Sequence, residues 1–230
     1  MSNSYGADES ALTPRKLGAT HQPLREQVRD FIRDRIVRGE FVPGDRIVER
    51  VLADELGVSR VPVREALNLL KGEGFVQDVP RRGVIVTVLT RDDLDDLFEV
   101  REALEVHGAR LASLRATPEE IAALTEIAEG AEAARSAGDL ERMADLNQAF
   151  HDAIPRLAHN RALASTLEPL EGRLHWVLRQ NRSPQLLMAE HAELVAAITA
   201  HDPERAADVA RRHVHTSRSI CLELMFGERD

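Results

Sequence analysis

The sequence predicts a mostly α-helical protein in two parts, with three helices and a β-hairpin first and an antiparallel bundle of about six helices after them. Three observations support this fold class. Apolar residues make up 43% of the 230 residues and aromatic residues only 3%, so the core is built from aliphatic side chains. Apolar positions recur at helical spacing along most of the chain. One β-branched stretch interrupts them, between residues 75 and 88.

The first part opens with three short helices. Apolar side chains on one helix face predict a first helix from Leu24, with Gly39 as the residue that ends it. A second helix is expected over about residues 48–56, where two leucines lie one turn apart. Ser59 is expected to cap a third helix that runs to about Lys71.

A change of periodicity follows the third helix. The runs at residues 75–79 and 84–88 are rich in β-branched side chains, and Pro80-Arg81-Arg82-Gly83 lies between them. This pattern predicts a β-hairpin. Three helices and a hairpin in about seventy residues are the outline of a winged helix-turn-helix domain, which we place at residues 21–89.

After Thr90 the helical periodicity returns, and no strand pattern follows. Two helix starts, at Thr90 and Thr117, have an acidic residue three positions later, as in a capping box. Turn and capping residues mark three more starts, at Gly138-Asp139, Ser183-Pro184 and Asp202-Pro203. The predicted helices cover residues 91–115, 118–137, 139–159, 161–181, 184–200 and 203–226. Short turns between helices of this length are typical of an antiparallel bundle, which we place at residues 91–227.

The charge is distributed unevenly between the two parts. Residues 21–90 hold 12 basic and 11 acidic side chains, whereas residues 91–230 hold 16 basic and 26 acidic ones. A strongly acidic surface repels phosphate, so any contact with nucleic acid is expected in the first ninety residues. Because the net charge there is small, a DNA-binding function depends on how the arginines are arranged.

The sequence shows no signal for membrane insertion or export. The longest uncharged stretch, around residues 194–200, is far shorter than the roughly 20 residues of a membrane helix. Residues 1–20 lack the apolar core of a signal peptide and are expected to form a disordered tail. The one cysteine, Cys221, cannot form an internal disulfide, which fits a reducing cytoplasm. We therefore expect a cytoplasmic protein that has no membrane partner.

Arginines cluster at the start of the predicted third helix and at the tip of the hairpin. Arg60 and Arg64 are four residues apart, so both project from one face. A recognition helix contacts base edges in the major groove with its N-terminal residues, and the arginine fork can bond guanine at two atoms. Ser59 and the helix N-terminus offer donors to a phosphate, and Arg81-Arg82-Gly83 suits a wing in the minor groove. The alternative is solvated surface charges, paired locally with Glu49, Glu55 or Glu65.

These residues carry a resemblance to the GntR family of bacterial transcription regulators, which covers roughly residues 22–88. It rests on the run PGDRIVERVLADELGVSRVPVREALNLLKGEGFV and on RRGVIV, with SRVPVREAL as its strongest part. The resemblance implies DNA contacts from Arg50, Arg60, Arg64, Arg82 and Gly83. One winged helix contacts only a few base pairs, so we expect a homodimer on a palindromic double-stranded operator.

Histidines are the informative residues of the second part. Asn147 and His151 are four residues apart on the third bundle helix, and His191 and His213 lie on the fifth and sixth. An i, i+4 pair with single residues from two facing helices is how bundles build metal sites. The alternative is that each histidine is separately a surface or hydrogen-bonded core residue. We expect that ordinary role for His107, His159, His175, His201 and His215.

The second part resembles the FadR-type effector domain called FCD, over about residues 92–226. The resemblance is carried by LFEVREALEVHGARLAS around Arg101, by FH at 150–151, by EH at 190–191 and by RRH at 211–213. It implies that a divalent metal, Zn²⁺ with Ni²⁺ or Mn²⁺ as alternatives, is held by Asn147, His151, His191 and His213. It also implies that a small carboxylic acid effector binds against the metal.

Two residues of this second part leave alternatives open. The commoner FCD pattern has Asp where this chain has Asn147, and an amide oxygen is a weaker, neutral metal ligand. Arg101 can pair with an anionic effector, or with Glu105 one turn away on the same helix.

Together these observations predict a DNA-binding transcription regulator, with repression expected, whose operator binding responds to a small organic acid at a metal site. A bundle-type metalloenzyme is one alternative, because three histidines with open positions can activate water. No HExxH sequence, paired carboxylate motif or nucleophile context supports that alternative. A DNA-binding protein that has no ligand is the other.

Overall fold

The protein is described by a computed structural model over residues 22–179, 181 and 184–227, apart from the side chain of Trp176. The tail predicted at residues 1–20 lies outside the described residues. The described residues form two compact units, each held together by contacts among its own residues. The first holds the residues up to Asp34 and Gly44–Val86, and the second holds Arg35–Pro43 and the residues from Thr87 onward.

The first five elements are three helices and two strands: α1 Leu24–Val37, α2 Glu49–Leu56, α3 Arg60–Gly72, β1 Val76–Val79 and β2 Gly83–Val86. The strands pair antiparallel, with Val76 opposite Val86 and Val79 opposite Gly83. A third segment extends this small sheet, because the Ile47 N–H donates to the Val84 carbonyl at 2.9 Å. Helices and hairpin lie as the sequence predicts, which confirms the winged helix-turn-helix.

The turn between α2 and α3 depends on one glycine and one serine. Gly57 takes a left-handed φ of 64° and donates its N–H to the Ala53 carbonyl, which ends α2. Ser59 occupies the N-cap position of α3, but its side chain accepts no capping hydrogen bond, contrary to the sequence prediction. Pro62, third in the helix, has no N–H to donate to the serine oxygen, so Val61 is the one remaining capping donor, and it makes no such bond.

The second unit contains six helices within the described ranges: α4 Arg91–Arg115, α5 Pro118–Ala137, α6 Leu140–Leu157, α7 Arg161–Leu178, α8 Gln185–Thr199 and α9 Pro203–Phe226. Thr90 and Thr117 form the two predicted capping boxes, with Asp93 and Glu120. Asp139 and Asp202 cap α6 and α9 as expected. Ser183 lies outside the described residues, and α8 begins directly after Pro184. The mostly helical fold class is confirmed.

The core of the second unit is aliphatic and alanine-rich, as the low aromatic content predicts. A buried cluster between α4, α5, α6, α8 and α9 includes Ala109, Ala112, Phe150, Leu194 and Ile198. Small alanine side chains allow the helices to approach closely, so the polar residues that face the interior lie near one another. Among the helices described, none is long and apolar enough to cross a membrane.

Candidate metal centre and nucleic-acid interface

Three imidazole rings from three helices meet inside the second unit. His151 lies on α6, His191 on α8 and His213 on α9, and all three are buried. Nitrogen atoms that could bind a metal lie within 4.8 Å of one another in this set. The ring centroids are 5.1 Å apart for His151 and His191, 5.1 Å for His151 and His213, and 4.7 Å for His191 and His213. The structure therefore brings together the three histidines that the sequence singled out.

Burial favours the neutral form of two of these rings, those of His151 and His191. Burial lowers the pKa of His151 well below the usual histidine range, and the nearby His213 and His191 lower it further. Burial followed by the charge of His213 does the same to the pKa of His191. The Nε2 atoms of His191 and His213 are buried and have no hydrogen-bond partner among the described residues. Neutral imidazoles with unsatisfied nitrogens are the form in which histidine binds metal.

Glu190 orients one of the three rings from behind. Its Oε2 atom lies 3.1 Å from Nδ1 of His213, and its Oε1 atom accepts a 2.8 Å hydrogen bond from Thr216. Burial raises the pKa of Glu190, but the hydrogen bonds from His213 and Thr216 lower it. The net pKa is below the usual glutamate value, so the carboxyl favours its charged form. Such a carboxylate–histidine pair fixes the ring and its tautomer. In the sequence Glu190 stands out only as the first residue of the EH pair at 190–191, which assigns it no role.

Asn147 lies one turn before His151 on α6. Its amide oxygen is buried and has no hydrogen-bond partner among the described residues. The side chain lines a cavity together with His175 and Arg179. Asn147 thus has an unsatisfied oxygen on the helix that carries His151, but the cavity it lines includes none of the three histidines, so its role as a fourth ligand stays a prediction.

A second group of buried charges adjoins the histidines. Arg101 on α4 is 1% exposed and donates from Nε to Oε1 of Glu105, so the pairing one turn away is the one that forms. A ligand atom of His151 lies within 4.8 Å of carboxylate oxygens of Glu105 and Glu171. Nη1 of Arg101 and Oε2 of Glu171 are buried and have no hydrogen-bond partner among the described residues. Arg101, Glu105, Glu171 and His151 form a cluster of buried polar groups, here called the chamber, whose unpaired atoms a small ligand could satisfy. The cavity beside it is lined by Glu105, Glu171, His151 and His213 but not by Arg101, and its volume is about 20 Å³.

Glu171 differs from an exposed glutamate in its pKa. Burial raises the pKa of Glu171 well above the usual glutamate value, and the neighbouring Glu105 raises it further. Burial lowers the pKa of Arg101, but Glu105 and Glu171 more than offset this effect. Burial also raises the pKa of the Cys221 thiol to about 12, so this side chain is an unreactive thiol. Glu171 carried no signal in the sequence, because a buried and an exposed glutamate look the same there.

The remaining histidines, apart from His175, lie separately from this cluster; His175 is close enough for its charge to lower the pKa of His151. His159 contacts Glu120 at 3.0 Å, His215 contacts Glu102 at 2.9 Å, and Nδ1 of His201 lies 2.7 Å from the Ser113 carbonyl. His107 is exposed on α4. His175 is buried beside the cavity that Asn147 lines.

In the first unit, the arginines selected from the sequence are exposed on α2 and α3. Arg64 donates to both carboxylate oxygens of Glu49, with a shortest distance of 2.9 Å, and Arg50 donates to Asp54 at 3.2 Å. Local pairing, the alternative interpretation, therefore forms for these two side chains. Exposed pairs of this kind are worth at most about 1 kcal/mol, so they leave both arginines available to a phosphate or a base.

The hairpin tip presents the other predicted contact residues. The Arg82 N–H donates to the Val79 carbonyl at 3.0 Å, which closes a tight turn between the strands. Arg81 has a φ of 66° and Gly83 a φ of 79°. Only glycine adopts this region without cost, so the backbone at Arg81 is strained by about 1 kcal/mol. Arg81 and Arg82 are exposed side by side at the end of the wing.

Comparison with known proteins gives these two units a family. Residues 24–86 match the bacterial regulatory proteins of the gntR family, and residues 96–216 match the FCD domain. The Nta operon transcriptional regulator of Aminobacter aminovorans is 34% identical over 192 residues, which cover 81% of this chain and 89% of that protein. A probable D-xylose utilization operon transcriptional repressor of Paenarthrobacter nicotinovorans is 31% identical over 204 residues, 85% of this chain and 87% of that protein.

Solved structures agree with the sequence matches. Escherichia coli McbR/YncC superposes with a TM-score of 0.79 at 26% identity and covers 88% of this chain and 98% of that one. A winged helix-turn-helix followed by a helical unit of this kind defines a DNA-binding transcriptional regulator. The chain belongs to the GntR family of bacterial regulators and carries an FCD domain. This confirms the prediction of a regulator rather than an enzyme.

Proposed function

We propose that this regulator represses transcription from a palindromic operator, and that a small carboxylic acid bound at a metal in the FCD domain changes its operator affinity. The observation that carries the proposal is the convergence of His151, His191 and His213, with unsatisfied nitrogens, beside the buried Arg101. The relative from Paenarthrobacter nicotinovorans is described as a probable repressor, which supports the direction of the effect. A regulator of this kind acts on DNA in the cytoplasm.

The metal would be held by Asn147, His151, His191 and His213. Imidazole ligands suit Zn²⁺ and Ni²⁺ better than Mn²⁺, which prefers oxygen, so Zn²⁺ is the first choice. All four ligands are neutral in this set, because Asn147 supplies no charge. A carboxylate that arrives at the metal would offset the charge of the ion, so metal and acid favour each other's binding.

The effector would lie in the chamber beside the metal. Arg101 is the buried cation of this chamber, and Nη1 has no partner among the described residues. A guanidinium binds a carboxylate with two parallel hydrogen bonds. Since Glu105 already occupies Nε of Arg101, an acid would use the remaining nitrogens. Ordering of the bundle core on binding would then favour one arrangement of the regulator over another.

DNA would be contacted by α3 and the wing. In this proposal Arg60 and Arg64 contact base edges, while Arg50 and Ser59 contact phosphates. The first-turn N–H groups of α3 donate no hydrogen bond to the Ser59 side chain, which leaves them to donate to a phosphate oxygen. Arg82 and Gly83 at the wing tip would enter the minor groove, as in the FadR-type regulators that the sequence resembles.

A homodimer is supported by an apolar stripe on α4. Val100, Leu104, His107, Leu111 and Leu114 follow the alternating spacing of four and three residues that is typical of a helix–helix seam, with His107 at its centre. Val100 is 48% and Leu114 58% exposed, so the stripe faces outward. The first half of α4 is mainly acidic, whereas its second half carries Arg110 and Arg115. An antiparallel pairing of two α4 helices buries the stripe and brings opposite charges together.

The experiment that tests the effector proposal is a thermal-shift screen of small carboxylic acids, with and without Zn²⁺. A ligand at about 100 times its Kd stabilises the native state by about 2.7 kcal/mol, which raises the melting temperature. We expect an acid that stabilises the protein only with metal present and that changes binding to a selected operator duplex. An acid that acts equally after chelation would contradict the metal site. A protein that binds its operator but responds to no acid would be the ligand-independent alternative.

A further inference from the structure

The exposed face of α3 carries an apolar side chain among its polar ones. The exposed residues of its first three turns are Arg60, Val61, Arg64, Glu65, Asn68 and Leu69. At about 100° per residue, these positions span an arc of about 180°, with Val61 near its middle and Leu69 at its edge. Val61 is 62% exposed, more than any other large hydrophobic side chain in the described part of the chain.

Stability of the unit does not explain this valine. The opposite face of α3 buries Val63, Ala66, Leu67 and Leu70, so the core of the unit is complete without Val61. A β-branched residue is also a weaker helix former than alanine, and its exposed methyl groups bury no area. Single exposed apolar residues are common on protein surfaces. This one is set apart by its place in the first turn, between Arg60 and Arg64.

The major groove offers an apolar group that suits such a side chain. Thymine presents its C5-methyl group there, and apolar side chains discriminate thymine by contact with it. We propose that Val61 selects thymine in each operator half-site by packing against this methyl group, next to the bases that Arg60 and Arg64 contact. The inference rests on the proposed role of α3 as the recognition helix.

The test uses the full-length protein and a duplex that it selects from a random-sequence library. Each thymine is replaced in turn by deoxyuridine, which removes the C5-methyl group and keeps every hydrogen-bonding atom. Loss of one buried methyl group is worth a factor of about three to five in affinity per half-site. We expect such a loss at one thymine for the wild-type protein and none at that thymine for Val61→Ala. Leu69→Ala, at a partly exposed apolar position of the same helix, should keep the wild-type loss.

The outcomes distinguish a failure of the Val61–thymine contact from a failure of α3 as the recognition helix. If every deoxyuridine duplex binds the wild type as the thymine duplex does, or if Val61→Ala shows the same losses, Val61 does not contact thymine. If Arg60→Ala and Arg64→Ala also leave affinity and selectivity unchanged, the recognition helix itself is wrongly placed. Thermal melting of Val61→Ala should match the wild type, because the side chain is exposed, so a change in DNA binding reports on the contact.

Discussion

Glu190 and His213 are joined through Nδ1 of the imidazole, at 3.1 Å, so the other ring nitrogen faces the interior of the FCD domain. That nitrogen, Nε2, is buried and has no hydrogen-bond partner among the described residues. The pair comes from two helices, α8 and α9, and Thr216 holds the second carboxylate oxygen. Orientation of a histidine by a carboxylate is what a preformed metal ligand requires.

Replacement of the ligands and of their support should have graded effects on metal binding. We expect His151→Ala and His213→Ala to abolish bound metal, and Glu190→Gln to weaken it by about 10- to 100-fold, because the ring loses its orienting carboxylate. Metal content after purification without a metal-affinity tag, and competition titration with Zn²⁺, measure this. His215→Ala, at an exposed position of α9, the helix that carries His213, is the matched control. Retention of metal by His213→Ala would show that the three rings do not form the site.

Loss of Arg64 should weaken operator binding more than loss of Arg60. Arg60→Ala and Arg64→Ala should each cost roughly 1–3 kcal/mol of specific operator binding and relax sequence preference. Arg64→Ala should cost more, because it leaves Glu49 as an unpaired carboxylate beside the DNA. The double variant Glu49→Gln with Arg64→Ala should recover that excess. Equilibrium binding at fixed salt measures this, with Arg142→Ala in the second unit as control. Operator affinity and selectivity that stay unchanged in both Arg60→Ala and Arg64→Ala would contradict the assignment.

The seam on α4 predicts the oligomeric state. Leu114→Glu should convert a micromolar homodimer into a monomer, because it places a charge in a helix–helix contact. Leu186→Glu on α8, at a position that is 59% exposed, should leave the dimer intact. Light scattering after size exclusion measures both. In an antiparallel seam His107 lies near the two-fold axis, so His107→Cys should form a disulfide between protomers. A dimer that survives Leu114→Glu and forms no such cross-link would place the interface elsewhere.

One substitution at the wing tip should raise the stability of the first unit and lower its affinity for DNA. Arg81 holds a φ of 66° that glycine adopts freely, so Arg81→Gly should stabilise the first unit by about 1 kcal/mol. The same change removes a cation from the wing tip, so operator affinity should fall and its salt dependence should weaken. Arg81→Lys keeps both the charge and the strain and serves as the control. Thermal melting and salt-dependent binding are the measurements, and an unchanged melting temperature for Arg81→Gly would contradict the strain.

The buried ionisable groups predict the pH dependence of the metal-free protein. The pKa values of His151 and His191 are lower in the folded state than the value of 6.5 in the unfolded state. Their contribution to the free energy of unfolding is therefore fully present above pH 6.5 and is lost as the pH falls. The pKa of Glu171 is raised, so its contribution is present below 4.5 and is lost as the pH rises. Glu171→Gln should therefore gain stability over the wild type as the pH increases above 4.5, by at most about 1.4 kcal/mol per pH unit.

Melting temperatures in chelator between pH 5 and 8 test this dependence. In Glu171→Gln the loss of stability below pH 6.5 should also become steeper, because the opposing effect of Glu171 is gone. Glu141→Gln, at an exposed position of α6, is the control and should follow the wild type. A constant difference between Glu171→Gln and the wild type across this range would show that Glu171 has the same pKa in both states.

The helices of this chain could be predicted closely because their signals are local. Capping boxes at Thr90 and Thr117 depend on residues three positions apart, and Gly57 ends α2 through its own φ. The expected cap at Ser59 did not form, and the capping pattern alone does not register that Pro62 removes one of the two N–H groups that could donate to it. The winged helix-turn-helix follows from the order of such local elements.

The sequence by itself therefore determined the two-part helical architecture, the face shared by Asn147 and His151, and the exposed arginines of α3. Only the tertiary structure decided that His151, His191 and His213 lie within 4.8 Å and that Glu190 stands behind one of them. It also placed Glu171 in the chamber with Arg101. The reason is physical: periodicity shows which side of a helix is buried, but the partners across a core depend on how the helices pack. A buried charge has the same letter in the sequence as an exposed one, and burial alone changes its pKa and its chemistry.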